Sequence, residues 1–197
     1  MEIIFATGNQ HKMVEAQKAL GDSFTLIMPK ELGLTEDIPE DGDTLLDNAI
    51  QKAEYLWNKF GKNCFADDTG LEVDALGGAP GVRTARYAGE DKGTDANMAK
   101  LLAELEKVEQ AQGSAVPRTA RFKTVVALII DGQVKTFEGV LEGEIARSRS
   151  GNEGFGYDPV FIPQGYKCTL AEISLDQKNA ISHRGKAMRA LAEYLND

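Results

Sequence analysis

Ile3-Ile4-Phe5-Ala6-Thr7-Gly8-Asn9-Gln10-His11-Lys12 is the stretch on which the fold reading turns. Residues 3–6 form a short apolar run that reads as a buried strand, and Thr7-Gly8-Asn9 reads as the turn that ends it. From Gln10 to Leu20, the apolar residues Met13, Ala16, Ala19 and Leu20 recur at helical spacing, and Gly21 stops the run. A strand therefore passes into a helix within a few residues.

The same alternation continues outward. Residues 24–28 make a second candidate strand, and residues 29–43, rich in acids, glycine and proline, make a loop. Residues 44–60 are the clearest helix, with Leu45, Leu46, Ala49, Ile50, Ala53, Leu56, Trp57 and Phe60 on an apolar face and Gly61 as the stop. Residues 64–66 read as a strand running into a loop, Asp67-Asp68-Thr69-Gly70, followed by the glycine-rich Gly77-Gly78-Ala79-Pro80-Gly81. The spacing predicts a helix over about 94–108, a polar linker over 110–117, and β-rich runs over 121–130 and 134–145 around Asp131-Gly132, a dipeptide suited to a tight hairpin. Residues 151–158 are a second glycine-rich loop, and a last helix starts near Ser182. Strand–helix alternation followed by a hairpin implies an α/β fold with a mixed sheet, in one domain over residues 1–197.

Composition narrows the function. The 197 residues are 42% hydrophobic and 27% charged, as in ordinary globular chains, and the formal net charge is −9. So acidic a chain is a poor binder of duplex nucleic acid or anionic membrane, both of which attract clustered Lys and Arg. A small polyanion is compatible, provided that local lysines and a metal ion overcome the global field. Cys64 and Cys168 match no metal-ligand or redox spacing and suit a reducing compartment. The N-terminus has an early acid and too short an apolar run for a signal peptide, and no stretch is long enough to span a bilayer. A soluble, cytoplasmic protein is expected.

Five stretches carry chemistry. At Thr7 to Lys12, backbone N–H groups at a helix start favour phosphate, and Lys12 and Asn9 can reach the same anion, although the loop is not a Walker A sequence. Asn48 and Lys52 are spaced i, i+4 on one helix face, off the apolar stripe, with Glu40, Asp41 and Asp43 upstream. Adjacent Asp67 and Asp68 point to opposite sides of a strand end, so one can enter a cleft while the other anchors the loop; such hard oxygen donors suit Mg²⁺. Gly154-Phe155-Gly156-Tyr157-Asp158 lets a ligand approach the backbone and offers a stacking ring. Ser182-His183-Arg184-Gly185, with Lys178 just before, can meet a base edge or a phosphate. All but the Phe155 loop have a plainer reading as a cap, an Asx turn or a solvated face.

In this order, the five stretches strongly resemble the inosine triphosphate pyrophosphatases, the non-canonical purine NTP pyrophosphatase family. The resemblance runs from Thr7 to Arg184; its most specific marks are Thr7-Gly8-Asn9 with Lys12, Ala66-Asp67-Asp68-Thr69-Gly70-Leu71, Gly77 to Gly81, Phe155-Gly156-Tyr157-Asp158 and Ser182-His183-Arg184-Gly185. It implies a two-lobed α/β fold with the active-site cleft between the lobes, a homodimer, Mg²⁺ as cofactor, and hydrolysis of ITP, dITP and XTP to the monophosphate and pyrophosphate. It further implies that Thr7, Gly8, Asn9, Gln10, His11 and Lys12, with Asn48 and Lys52, contact the triphosphate. Asp68 matches the metal ligand and general base, and Glu40 a second metal carboxylate, with Asp41 and Asp43 as alternatives. Thr69 keeps the hydroxyl that many bacterial members carry as serine. Phe155, Gly156, Tyr157 and Asp158, with Lys178, His183 and Arg184, match the nucleoside-binding segment. Two rivals stay open: a Maf-type pyrophosphatase acting on other nucleotides, and a nucleotide-binding module without catalysis.

Overall fold

The structure, a computed structural model, describes residues 1–197 apart from the side chain of His11. Its elements are β1 (Glu2–Phe5), α1 (Gln10–Leu20), β2 (Thr25–Ile27), α2 (Leu45–Phe60), β3 (Cys64–Val73), β4 (Pro80–Gly81), α3 (Thr94–Gln112), β5 (Thr119–Ile130), β6 (Gln133–Ile145), β7 (Phe161–Pro163), α4 (Leu175–Ile181) and α5 (His183–Asn196). Among the described residues the strands form one seven-stranded sheet, ordered β2-β1-β3-β5-β6-β7, with β4 paired to β3. β1 runs parallel to β2 and β3, whereas β4 is antiparallel to β3 and β7 to β6. The sheet is mixed, as the alternation of elements implied. At the β5–β6 turn, Asp131 (φ 49°) and Gly132 (φ 76°) both adopt positive φ, the type I′ geometry that matches strand twist.

The chain divides into two compact units, Met1–Asp68, Thr124–Gly139 and His183–Asp197 in the first, and Thr69–Lys123 and Val140–Ser182 in the second. In the first, Ile3, Phe5, Phe65, Val126 and Leu128 bury one strand face against Met13, Ala16 and Leu20 of α1 and Met188 and Leu191 of α5. The Phe5 and Phe65 rings stack there at 4.3 Å. α2 covers the other face, burying Leu45, Ala49, Ala53 and Leu56, and the Cys64 thiol donates to the Ala53 carbonyl at 3.3 Å. Cover on both faces explains why β1 is an uninterrupted apolar run. The second unit has its own core, in which Leu71 and Val73 of β3 pack with Met98, Leu101 and Leu105 of α3 and with Phe122, Tyr157 and Phe161.

Three expectations change, the first being that α3 runs on to Gln112, into the stretch expected as a polar linker. Asp67-Asp68-Thr69-Gly70 is strand rather than loop, because β3 continues to Val73 and pairs with β4 through Leu71 and Glu72. Acids and glycine disfavour a strand locally, but pairing and cationic partners override that preference. Asn48 and Lys52 are buried rather than on an exposed face. Positions 45, 48, 49, 52, 53 and 56 make one continuous helical face, while Leu46, assigned to the apolar face, is exposed.

Candidate active site

β1 delivers the chain to the first half of the site. Ala6 N–H donates to the Phe65 carbonyl at 2.9 Å, so the strand stays tied to β3 up to the turn. The turn then organises itself: Thr7 Oγ1 accepts from Asn9 N–H at 3.1 Å, and Asn9 Oδ1 lies 3.4 Å from Lys12 N, an N-cap on α1. The first turn of α1 holds no acid, which leaves its positive end available to an anion. Beside the Gly8 Cα, the space a side chain would fill is empty. Gln10 is exposed at the helix start, and the His11 side chain lies outside the described residues.

The alternation of β3 divides the two acids. Asp67 shares a face with Phe65, toward α1 and α5, and Asp68 shares one with Cys64 and Ala66, toward α2. The Lys12 Nζ donates to both Asp67 oxygens at 3.0 Å, and Arg184 Nε, at the start of α5, lies 3.4 Å from Asp67 Oδ2. Arg184, expected at a base or phosphate, thus faces the buried carboxylate; Glu15 is 3.7 Å from its other end. Burial pushes the Asp67 carboxyl up, but the Lys12 and Arg184 charges outweigh burial and hold it below the usual carboxylate range.

On the other face, Asp68 Oδ1 takes a hydrogen bond from Lys52 Nζ at 3.2 Å, and Asp68 Oδ2 one from Asn48 Nδ2 at 3.1 Å. Lys52 Nζ also reaches Glu40 Oε2 at 3.0 Å. Burial raises the Asp68 carboxyl above its ordinary range despite Lys52 and Asn48, with the Glu40 charge adding to the rise. Lys52 itself is shifted up: burial opposes its charge, but Asp68 and Glu40 prevail. The loop before α2 completes the arrangement. Gly42 N–H donates to Asn48 Oδ1 at 2.7 Å, which turns the Asn48 amide so that its NH₂ meets Asp68. A Cβ on Gly42 would lie 2.7 Å from the Asp47 Cβ, so only glycine allows this close approach. Asp41 pairs instead with Gln51, which singles out Glu40 as the loop acid on Lys52.

These groups border an open cavity of about 550 Å³ lined by Thr7, Gly8, Lys12, Glu40, Lys52 and Asp67. Pro29, Lys30, Leu34, Asp37 and Ile38 line it as well, a contribution the loop reading of that segment did not anticipate. His183, half-buried, opens α5 next to Arg184.

Phe155, Gly156, Tyr157, Asp158 and Lys178 form their own group in the second unit, where Thr69 also falls. The Asp158 carboxylate accepts from Phe155 N–H at 2.9 Å and is ion-paired with Lys178. The Lys178 ammonium sits 4.4 Å from the centre of the Phe155 ring, which is otherwise 71% exposed. Tyr157 is buried, and its hydroxyl donates to the Thr84 carbonyl at 2.8 Å. Tyr157 thus anchors the loop while Phe155 is displayed.

The donor set suits one kind of cation. Among the described residues no cluster of three or more His, Cys, Asp or Glu side chains could hold a metal. Glu40 and Asp68, however, already share one cation between them, the Lys52 ammonium. Two carboxylates that need phosphate oxygens to complete a shell match the way Mg²⁺ is held.

Comparison with known proteins places these residues in context. The sequence model of the Ham1 family matches residues 3–194. The chain is 47% identical over 197 residues, covering both chains fully, to a dITP/XTP pyrophosphatase of Flavobacterium psychrophilum. It is 49% identical over 194 residues, 98% of this chain and 97% of the relative, to a dITP/XTP pyrophosphatase of Porphyromonas gingivalis. The solved structure of a HAM1 protein from Coxiella burnetii superposes with a TM-score of 0.93 at 38% identity, covering 100% of this chain and 98% of that one. With its fold and its length both matched, the chain belongs to the Ham1 family.

Proposed function

We propose that the protein hydrolyses non-canonical purine nucleoside triphosphates, ITP, dITP and XTP, to the nucleoside monophosphate and pyrophosphate. The observation that carries this reading is the sorting of Asp67 and Asp68 onto opposite strand faces, each against its own cations. One carboxylate is spent on holding Lys12 and Arg184; the other stands with raised basicity beside a second lysine. That is the equipment of a phosphoryl-transfer site, where positioning and charge neutralisation dominate.

Asp68 orients and deprotonates the water that attacks the α-phosphorus, held for that role by Lys52 and Asn48. Lys12, the Thr7–Asn9 turn and the α1 N-terminus bind the phosphates, and Lys52 with Asn48 holds Asp68 in place. Asp68 and Glu40 are the groups that would hold Mg²⁺, which, when bound, supplies further neutralisation of the triphosphate and leaving pyrophosphate. Phe155 stacks on the purine, with Asp158 and Lys178 behind it. A donor such as the His183 or Arg184 side chain meets the 6-oxo group; adenine would leave that donor unmatched, at about 1–3 kcal/mol. Cytoplasmic location and a single functional domain over 1–197, expected from the sequence, and a homodimer and a cleft between two lobes, implied by the resemblance, belong to the same proposal. No helix of the described chain is long and apolar enough to cross a membrane.

The test is incubation with ITP, dITP, XTP, ATP and GTP plus Mg²⁺, resolving pyrophosphate from orthophosphate. Pyrophosphate from the non-canonical nucleotides supports the reading. Orthophosphate, or equal use of ATP, overturns it.

A further inference from the structure

The cavity bordered by Lys12 and Lys52 contains a third lysine that the assigned machinery does not use. Lys30 lines it from a short 3₁₀ turn, Pro29–Leu32, between β2 and α2. That turn is pinned. Met28 and Pro29 are buried, Glu31 Oε2 accepts from Met28 N–H at 3.3 Å, and Gly33, at φ 82°, returns its N–H to the Lys30 carbonyl at 3.1 Å. Leu34, also buried, donates to the Pro29 carbonyl. The backbone under Lys30 is therefore preset, and only its side chain has to be ordered on binding.

Charge accounting within the first unit separates Lys30 from its neighbours. Lys12 and Arg184 are committed to Asp67, and Lys52 to Asp68 and Glu40. Asp67, Asp68 and Glu40 balance Lys12, Arg184 and Lys52 before any substrate arrives, and Glu15 beside Arg184 and Asp37 on the cavity wall add negative charge. Glu36, also on the cavity wall, is taken by Lys59. Lys30 is exposed, and among the described residues no carboxylate lies within ion-pair distance of it. It is the lysine of the cavity wall whose charge is not already matched. A triphosphate carries its highest charge at the terminal phosphates, and a cation that needs no carboxylate displaced gains the most from meeting them.

We infer that Lys30 is a substrate-binding residue for the β,γ-end of the triphosphate, the part that leaves as pyrophosphate. Asp68, assigned to the α-phosphorus, is occupied by Lys52 and Asn48, whereas Lys30 lines the cavity without an ion-pair partner among the described residues. This rests on the pyrophosphatase reading above, and the experiment keeps the two apart.

Wild type, Lys30→Gln and Lys30→Arg are compared in kcat and KM for ITP with Mg²⁺, and in pyrophosphate and IMP binding by titration calorimetry. Lys30→Gln is expected to raise KM and weaken pyrophosphate binding, each by about tenfold, the loss of one charge-assisted contact. Its kcat and IMP affinity should stay within about twofold, and Lys30→Arg should restore most of the loss. Unchanged pyrophosphate affinity in Lys30→Gln, or an equal loss for IMP, overturns the inference while the function stands. Wild type that releases no pyrophosphate from any purine triphosphate overturns the function itself, and the inference with it.

Discussion

Asp67 and Asp68 are neighbours in β3, yet their acidities are displaced in opposite directions: Asp67 below the usual carboxylate range, Asp68 above it. The strand's two-residue period is the cause, since it sends one carboxylate to Lys12 and Arg184 and the other to Lys52, Asn48 and Glu40. Under the proposed function these adjacent identical residues do different work, Asp67 structural and electrostatic, Asp68 chemical.

Asp68→Asn removes the base while keeping shape and hydrogen-bonding size. Turnover of ITP should fall by about 10²–10⁴, the usual contribution of a general base, with nucleotide affinity changed only a few-fold. Steady-state kinetics together with equilibrium binding check this; near-normal kcat would remove Asp68 from the role.

Asp67→Asn should instead be felt in the fold. Breaking a buried ion pair on one side costs about 3 kcal/mol, because Lys12 and Arg184 keep their charges. The folded-state pKa of Asp67 is depressed, so its stabilisation is fully present above the unfolded value of about 3.9 and is lost as pH falls through the lower folded value. Urea melts in EDTA should therefore show a gap between wild type and variant at pH 7 that narrows below about pH 4. A gap independent of pH contradicts the ion-pair account.

Gly139 of β6 lies against the first turn of α5. A Cβ there would be 1.9 Å from the His183 carbonyl oxygen and 2.6 Å from Ala187 N, both backbone atoms. Gly139→Ala must displace the helix that starts with His183 and Arg184. A loss of about 3 kcal/mol is expected, against about 1 kcal/mol for Gly93→Ala at the α3 N-cap, where the added carbon meets nothing within 4 Å. Thermal melts of the two variants make the comparison, and equal melting temperatures would show that α5 is not held as described.

Phe155 is mostly exposed, so Phe155→Ala should leave stability within about 0.5 kcal/mol of wild type. Stacking on a base is worth about 1–3 kcal/mol, so KM for ITP should rise by about tenfold. A destabilised variant with normal KM would assign the ring to packing instead.

The Cys64 thiol is buried and pushed up to about 12 by desolvation. Thiol titration at pH 8 should leave Cys64 unmodified in the native protein, and unfolding should release it along with Cys168. Labelling of Cys64 in the native state, located by mass spectrometry, would show that its cover by α2 opens readily.

Much of this was legible in the sequence where the signal is local. Asp131-Gly132 announced its turn through the backbone its residues tolerate, and Gly61 stops α2 in the left-handed conformation at φ 59°. Segments decided by tertiary partners were not legible. β3 reads as ending at Ala66 because only the cations on α1, α2 and α5 make a buried acid and a half-buried one tolerable side by side in a strand. Lys52 reads as a solvated lysine because its burial depends on Glu40, twelve residues away in a loop. α4 was missed although Ser174-Leu175-Asp176-Gln177 carries a capping-box pattern, with Ser174 Oγ accepting from Gln177 N–H at 3.3 Å. The cavity wall at Pro29 to Ile38 left no periodicity to read.

The central claim is hydrolysis at the α-phosphorus, and hydrolysis of ITP in ¹⁸O-water with Mg²⁺ tests it most directly. The account predicts one ¹⁸O in the IMP and none in the pyrophosphate. Label in the pyrophosphate, or labelled orthophosphate with IDP, would place the attack elsewhere and contradict it.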